Sequence, residues 1–283
     1  MREVFVNNID QIIKTYQAKM PDASVAQRDI SLLIAAALER SLSWVKAFSD
    51  QALSQQQVVS ICEFLDRRIK GEPVAYILGE WEFYSLPFKV TPDTLIPRPE
   101  TEQLVERVLA IMTEIDQPSV LDLGCGSGAI AVSIKQQRPD ARVSAVEYSE
   151  AALLVAKSNA KRNNTDINFL QGSWYEPINE GERFSVIVSN PPYVAHDDPH
   201  LSQGDLLFEP QMALTAGEDE FSDISTICHH APSYLTHQGV LLIEHGYNQK
   251  HQVQQSFSEN GLVRVQTHQD YSGVDRFTEG WMA

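Results

Sequence analysis

Between residues 119 and 244 the sequence alternates short apolar runs with longer amphipathic intervals, and this rhythm restricts the fold more than any other feature. The runs occupy 120–123, 143–146, 167–170, 186–189 and 240–243. Each reads as apolar on both faces, as strands do in a parallel sheet covered on both sides. Most intervals are long enough for a crossover helix. The region 93–283 is therefore expected to be an α/β domain with a doubly wound, mostly parallel sheet. Its tail, VRVQTHQDYSGVDRFTEGWM, lacks a helical period and is expected to add two antiparallel strands, making seven. In TEQLVERVLAIM, Leu104, Val105, Val108, Leu109 and Met112 share one helical face.

The first part of the chain has a different texture. Ile9, Ile12, Ile13 and Tyr16 fall at helical spacing, as do Ile30, Leu33 and Ala37. Ser54 followed by Gln57 has the form of a capping box that opens QQQVVSICEFLDRRI. A small helical domain is expected over 1–73. VAYILGEWEFYSLPFKV follows, rich in β-branched and aromatic residues and punctuated by Gly79 and Pro87, so a β-hairpin linker is expected over 74–92.

With 283 residues, 43% of them hydrophobic, the chain can bury a full core and carry a second small domain. A formal charge of −16 with no basic run makes a poor generic binder of nucleic acid, since such binding rests on Lys and Arg neutralising phosphates. Cys62, Cys125 and Cys228 lie far apart, as suits reduced thiols in a cytosol rather than a disulfide frame or zinc knuckle. MREVFVNNIDQ lacks the apolar core of a secretory signal, and no run of about 18 apolar residues occurs. A cytoplasmic protein without membrane contact is expected. The eight histidines show no HExxH-like spacing, so no metal is assigned.

Three signals carry chemistry. In SVLDLGCGSGAIAVSI, a buried strand ends at Leu123 and a helix begins after Gly124, Cys125, Gly126, Ser127 and Gly128. Glycines let the backbone turn tightly and let a ligand approach without a Cβ in the way. The following helix N-terminus favours a carboxylate. Gly124, Gly126 and Ala129 also satisfy the loose dinucleotide pattern, so on this evidence NAD remains open.

Glu147 closes the strand RVSAVE, 19 residues past Gly128. That is near the roughly 20-residue offset at which an acidic group reaches ribose hydroxyls. The plainer alternative is a charge serving the helix that begins near Ser149. Taken with the glycine turn, Glu147 points to a cofactor that carries adenosine.

The third signal is Asn190, Pro191, Pro192 and Tyr193, directly after the strand FSVIVS. Ligands of open parallel sheets bind at the carboxyl ends of strands, so this tetrapeptide is expected to face the same crevice. Methylating an amide or exocyclic amine means handling a delocalised, weakly nucleophilic lone pair. Its N–H groups must meet acceptors while the nitrogen is aimed at a sulfonium methyl. The Asn190 side-chain oxygen and the Pro191 carbonyl are the expected acceptors. The prolines stiffen the loop and Tyr193 is expected to cover the planar group. Asn-Pro also forms ordinary turns, which is the competing explanation. Trp174, in LQGSWYEP, is expected beside the adenine, though Trp often serves merely as a core or rim residue.

These residues together resemble the class I methyltransferases that act on planar nitrogen, and within them the peptide chain release factor N(5)-glutamine methyltransferases. The resemblance runs through GEPVAYILGEWEFYSLPF, LIPRPETE, LDLGCGSGAIA, SNPPYV and DPHLSQGDLLFEP. LIPRPETE with the tetrapeptide is specific to the group, whereas the glycine turn is common across the class. The resemblance implies S-adenosylmethionine as methyl donor and the glutamine of the Gly-Gly-Gln motif of release factors as acceptor. It implies that Gly124, Cys125, Gly126, Ser127, Gly128, Glu147, Trp174 and Asn190 contact the cofactor. It further implies that Asn190, Pro191, Pro192 and Tyr193 hold the glutamine, and that the helical domain recognises the release factor. The expected working form is a monomer with no direct contact to nucleic acid. Two positions depart from the group: relatives often carry Asp where Glu147 stands, and one branch has Arg where Leu207 stands.

Rival functions explain less. A DNA adenine-N6 methyltransferase shares the tetrapeptide but calls for a basic target-recognition region. A non-catalytic adenosine-ligand sensor has no need of an amine clamp. An NAD dehydrogenase accounts for the glycines and leaves Asn190, Pro191, Pro192 and Tyr193 without a task.

Overall fold

Two units, Met1–Gly79 and Glu80–Ala283, make up the chain. The computed structural model describes residues 8–20, 23–202, 204–216 and 219–283. Most of the N-terminal stretch read above for a secretory signal (1–7) lies outside them, as does Gln203 of DPHLSQGDLLFEP. Among the described residues, no helix is long and apolar enough to cross a membrane.

The first unit is helical: α1 (Ile9–Gln17), α2 (Ala23–Ala37), α3 (Leu42–Ala47), α4 (Gln55–Ile69) and α5 (Val74–Leu78). Helix α2 packs on both α1 and α4. Their shared core holds Ile9, Ile12, Tyr16, Ile30, Leu33, Ile34, Ile61 and Leu65. The inward face of α2 is thus completed by Ile34, while Ala37 is only half-buried. The capping box forms as expected, with Ser54 accepting the Gln57 N–H and the Gln57 side chain accepting the Ser54 N–H. The beginning of the segment read as a hairpin is instead α5. Val74, Ala75, Tyr76 and Ile77 are all buried, and burial overrides their preference for strands. Gly79, at φ +71°, ends the helix.

The second unit opens with the hairpin β1 (Glu80–Phe83) and β2 (Leu86–Lys89), joined by Tyr84 and Ser85 at φ 51° and 58°. Positive φ at both turn residues matches the twist of a two-residue hairpin loop. Phe83 and Phe88 meet edge to face and enter one core with Leu104, Val108 and Met112 of α6 (Pro99–Met112). The hairpin is therefore built into this unit's interior.

After α6 come β3 (Ser119–Leu123), α7 (Ala129–Gln137), β4 (Arg142–Glu147), α8 (Glu150–Arg162), β5 (Asn168–Gln171) and β6 (Phe184–Ser189). Then follow α9 (Gln211–Leu214), α10 (Ser222–Tyr234), β7 (Leu235–Glu244), α11 (Lys250–Glu259), β8 (Val263–Gln269) and β9 (Asp275–Trp281). The seven strands form one sheet in the order β5-β4-β3-β6-β7-β9-β8. Strands β3 to β7 run parallel, and β9 lies antiparallel to both β7 and β8. The expected doubly wound sheet with two antiparallel strands at its end is what forms. One connection differs: 172–183, between β5 and β6, contains turns and no helix. Side chains of β3 alternate between two apolar layers. Val120 joins α6 and α7 on one face, while Leu121 and Leu123 join α10 and α11 on the other. The strand order reverses between β3 and β6, and a crevice opens at such a switch point beyond the strand carboxyl ends.

Candidate active site

Strand register decides which residues meet at that crevice. Leu123 pairs with Val146 on one side and Ser189 on the other, and Ser189 pairs with Ile243. Gly124, Glu147, Asn190 and Glu244 each come next after these paired residues, so they stand in a row along one edge of the sheet. A cavity of about 320 Å³ lies there. Gly124, Cys125, Gly126, Ser127, Glu147 and Trp174 line it, and Asn190 and Pro192 form part of its wall.

The glycine turn is left-handed at each glycine, with φ of 70°, 54° and 80° at Gly124, Gly126 and Gly128. Only glycine adopts this backbone without strain. The N–H groups of Gly124 and Cys125 both donate to the Val146 carbonyl, at 2.9 and 3.0 Å. Gly128 caps α7 and does not line the cavity; a Cβ there would stand 3.2 Å from that of Ala156. Buried Asn159 ties the turn to the hairpin, donating to the Ser127 and Lys89 carbonyls, both at 2.9 Å.

Glu147 accepts the Gly126 N–H at 2.8 Å on one oxygen and the Ser149 N–H at 2.9 Å on the other. The carboxylate thus serves the start of α8, the plainer of its two possible tasks. Each oxygen keeps a further lone pair at the cavity. The two tasks are compatible. Beneath the turn, fully buried Asp122 accepts the Ala131 N–H at 3.0 Å, and its other oxygen has no partner among the described residues. Burial pushes the Asp122 carboxyl up to about 7, with the charge of Glu147 adding to the rise and the Ala131 N–H opposing it.

Trp174 adopts φ 45°, an uncommon conformation for a residue with a side chain. It lays its ring over the glycine turn, 3.2 Å from where a Cβ on Gly124 would sit. Asp223 of α10 lines the cavity as well; burial raises its carboxyl, and a hydrogen bond from Trp174 partly offsets this.

The tetrapeptide is divided by the structure. Asn190 and Pro192 line the cavity; Pro191 is buried, and neither it nor Tyr193 is part of the lining. The Tyr193 phenol donates to Glu244 Oε1 at 3.4 Å. The Asn190 Nδ2 group donates to Thr101 Oγ1 at 3.2 Å, and Thr101 donates to Glu244 Oε2 at 2.8 Å. Burial pushes the Glu244 carboxyl up to about 7, against the lowering effect of Thr101, Arg276 and Tyr193. The buried Glu209 carboxylate accepts the Ile96 N–H and pairs with Arg98, which lines the cavity. It thereby fastens LIPRPETE to the segment 204–210.

Thr101, Glu244 and Asp223 were not singled out from the sequence. Glu244 left one signal: it ends its strand directly after the apolar run 240–243, as Glu147 ends its strand after Ala145 and Val146. Thr101 lay inside LIPRPETE, but nothing in its spacing connected it with Asn190, 89 residues later. Among the described residues, no group of three or more His, Cys, Asp and Glu is placed to hold a metal ion.

Comparison with known proteins follows the same division of the chain. The PrmC N-terminal domain family matches residues 11–79, and the Methyltransferase small domain family matches 101–217. A release factor glutamine methyltransferase of Aliivibrio fischeri is 46% identical over 255 residues, which are 90% of this chain and 89% of that one. Its namesake in Vibrio cholerae is 43% identical, across 94% and 93% of the two chains. In Neisseria gonorrhoeae the figure is 50%, across 76% and 78%. Among solved structures, the hMettl16 catalytic domain superposes with a TM-score of 0.58 at 15% identity, covering 78% of this chain and 82% of that one. A methyltransferase from Pyrococcus furiosus gives 0.52 at 16% identity, covering 76% and 96%. Both likenesses concern the fold.

Proposed function

The chain belongs to the release factor glutamine methyltransferase family, and from this we infer that its cavity transfers a methyl group to the side-chain amide nitrogen of a glutamine. The methyl donor is S-adenosylmethionine, and the acceptor is the glutamine of the Gly-Gly-Gln motif of peptide chain release factors. One observation carries the proposed chemistry. The Asn190 amide has its nitrogen engaged by Thr101, and its oxygen, to which no described residue donates, remains available as an acceptor in the cavity wall.

The residues at the glycine turn fit the donor. Gly124 keeps a side chain out of the space beside Trp174, where a Cβ would press on the ring, and the left-handed φ of Gly124, Gly126 and Gly128 shapes the turn. Glu147, held rigidly by two backbone N–H groups, offers acceptors for ribose hydroxyls. Gly124, Cys125, Gly126, Ser127, Glu147, Trp174 and Asn190 would hold the donor, with Gly128 supporting the turn from behind. When bound, S-adenosylmethionine supplies an electrophilic methyl group on a sulfonium.

The chain's own part is mainly orientation. Asn190 Oδ1, in the cavity wall, accepts one N–H group of the substrate amide and aims its nitrogen at the methyl carbon; the carbonyl of Pro191, which is not part of the lining, is proposed as the second acceptor through its place directly after Asn190. Holding a weak nucleophile in line in this way contributes several kcal/mol, on the order of the usual proximity effect. Pro191 and Pro192 keep the two acceptors from drifting apart. Tyr193 acts through the loop it anchors to Glu244 rather than by covering the amide.

The helical unit is proposed to recognise the release factor, with the enzyme acting as a cytoplasmic monomer. Direct contact with nucleic acid is not part of the proposal, in keeping with the charge of −16. The test is incubation with labelled S-adenosylmethionine and a purified release factor, then mass mapping. Label on the Gly-Gly-Gln glutamine is expected. Label confined to other residues, or none at all, overturns the proposal.

A further inference from the structure

An asparagine amide is nearly symmetrical in shape but opposite in polarity at its two ends, so which end faces a ligand depends on its neighbours. At Asn190 the neighbours leave one arrangement. Glu244 is 1% exposed and has one oxygen 2.8 Å from Thr101 Oγ1. Above the value of about 7 to which burial raises it, the Glu244 carboxyl is ionised and has no proton to give, so the single hydroxyl proton of Thr101 points at Glu244. The other contact of that hydroxyl, 3.2 Å from Asn190, must then be an N–H that Thr101 accepts. Asn190 consequently turns its nitrogen toward Thr101 and its oxygen away. With the amide reversed, two N–H groups would face the substrate amide, where an acceptor is required.

We propose that Thr101 and Glu244 are positioning residues for methyl transfer: Glu244 directs the Thr101 hydroxyl, and the hydroxyl holds the Asn190 amide with its oxygen toward the substrate. The proposal rests on the substrate-holding role of Asn190 given above. The sheet supplies the geometry. Ser189 pairs with Ile243, which sets Asn190 and Glu244 side by side, and Thr101 reaches both from the first turn of α6. The same carboxylate accepts from Tyr193, so it secures both ends of the tetrapeptide.

Three substitutions separate orientation from packing. Thr101→Val keeps the shape and removes the hydroxyl, whereas Thr101→Ser keeps the hydroxyl and removes the methyl. Thr101→Ala removes both. The full-length enzyme is assayed on a release factor at pH 8, above the value of about 7 to which burial raises Glu244. Cofactor affinity is measured by calorimetry alongside kcat and KM. Thr101→Val and Thr101→Ala should each lower kcat about 10- to 100-fold with cofactor Kd within about twofold of wild type, and Thr101→Ser should stay within about threefold on both. Packing ranks the variants the other way, with Val harmless and Ser impaired, and that ranking overturns the proposal. If one hydroxyl-free variant fails to fold, the other decides. Asn190→Ala is run in parallel. Loss of activity there combined with wild-type kcat in Thr101→Val refutes only the relay. Full activity of Asn190→Ala refutes the role of Asn190 itself.

Discussion

The carboxylate of Glu147 accepts the backbone N–H of Gly126 at 2.8 Å, so the end of β4 clamps the turn that follows β3. A side chain proposed to bind ribose is thus also a brace for the turn proposed to hold the rest of the cofactor. Glu147→Ala should weaken S-adenosylmethionine binding twice over, by removing acceptors and by loosening the turn. Hydrogen bonds to a charged group are worth roughly 1.5–3 kcal/mol each, so affinity should fall at least about tenfold. The sheet should survive, because Glu147 lies past the paired apolar residues of β4. Calorimetry on the variant, with circular dichroism as a check on folding, is the measurement. An unchanged Kd removes the ribose assignment.

Asn190→Ala should reduce turnover far more than cofactor affinity, since it deletes the acceptor proposed for the substrate amide. Asn190→Asp sharpens the comparison. On the proposed placement of the donor it adds a negative charge near the sulfonium, whose own charge is lost in the transition state. Tighter ground-state binding without faster reaction is the expected pattern. The variant also forces the single Thr101 proton to choose between two carboxylates, the introduced one and that of Glu244. Cofactor Kd equal to or below wild type, with a kcat depressed about 100-fold, is the expected result from steady-state kinetics. Near-normal glutamine methylation by Asn190→Ala would mean that this clamp is not what drives the reaction.

Removing residues 1–79 should spare cofactor binding and cripple methylation of the intact factor. The cut has to fall before Glu80, because Phe83 and Phe88 are fully enclosed in the core of the second unit. A fragment beginning near Val90 would lose both rings and expose the surface they cover on α6. The fragment Glu80–Ala283 should bind S-adenosylmethionine within about threefold of the whole protein and give a strongly reduced kcat/KM on the release factor. Undiminished activity on that substrate rules out recognition by the helical unit.

Asp122 should make stability depend on pH in a particular direction. Its carboxyl is pushed from 3.8 up to about 7 by burial, so between those values the folded protein binds a proton that the unfolded chain has released. The associated stability is fully present below about pH 4 and is lost as the pH rises through about 7. Asn at this position cannot ionise. Between pH 5 and pH 8 the stability of Asp122→Asn should therefore improve relative to wild type, by on the order of 1–4 kcal/mol. Urea unfolding at the two pH values measures the change. A gap that stays constant shows that Asp122 is not held near neutral.

Much of this was legible from the order of residues. Val120, Val143, Val186 and Val240 seeded strands because runs apolar on both faces have few other places to go. Gly124, Glu147 and Asn190 could be placed at one edge because strands of a parallel sheet deliver their next residues to the same end. Contacts that depend on side-chain direction were not legible. Nothing in Asn190-Pro191-Pro192-Tyr193 indicates that Tyr193 points at Glu244 instead of the cavity. Val74, Ala75, Tyr76 and Ile77 suggested a strand, and only their enclosure among other helices reveals α5. The link from Thr101 to Asn190 spans 89 residues and two layers, a separation at which local pattern is silent.

The in-register pairing of Leu123, Ser189 and Ile243 bears on which insertions and deletions the chain can absorb. Gly124, Asn190 and Glu244 are positioned only by counting from those pairs, with side chains alternating direction at every step. A single inserted residue within β3, β6 or β7 would shift one of the three by about 3.3 Å and, at Asn190 or Glu244, turn the side chain to the opposite face, while leaving the fold able to assemble. Length changes at the other end of the sheet, ahead of Ser119 or Phe184, leave the count untouched. Among working relatives, drift in chain length should accordingly collect at that far edge, and the three strands should behave as a ruler whose graduations cannot be altered one at a time.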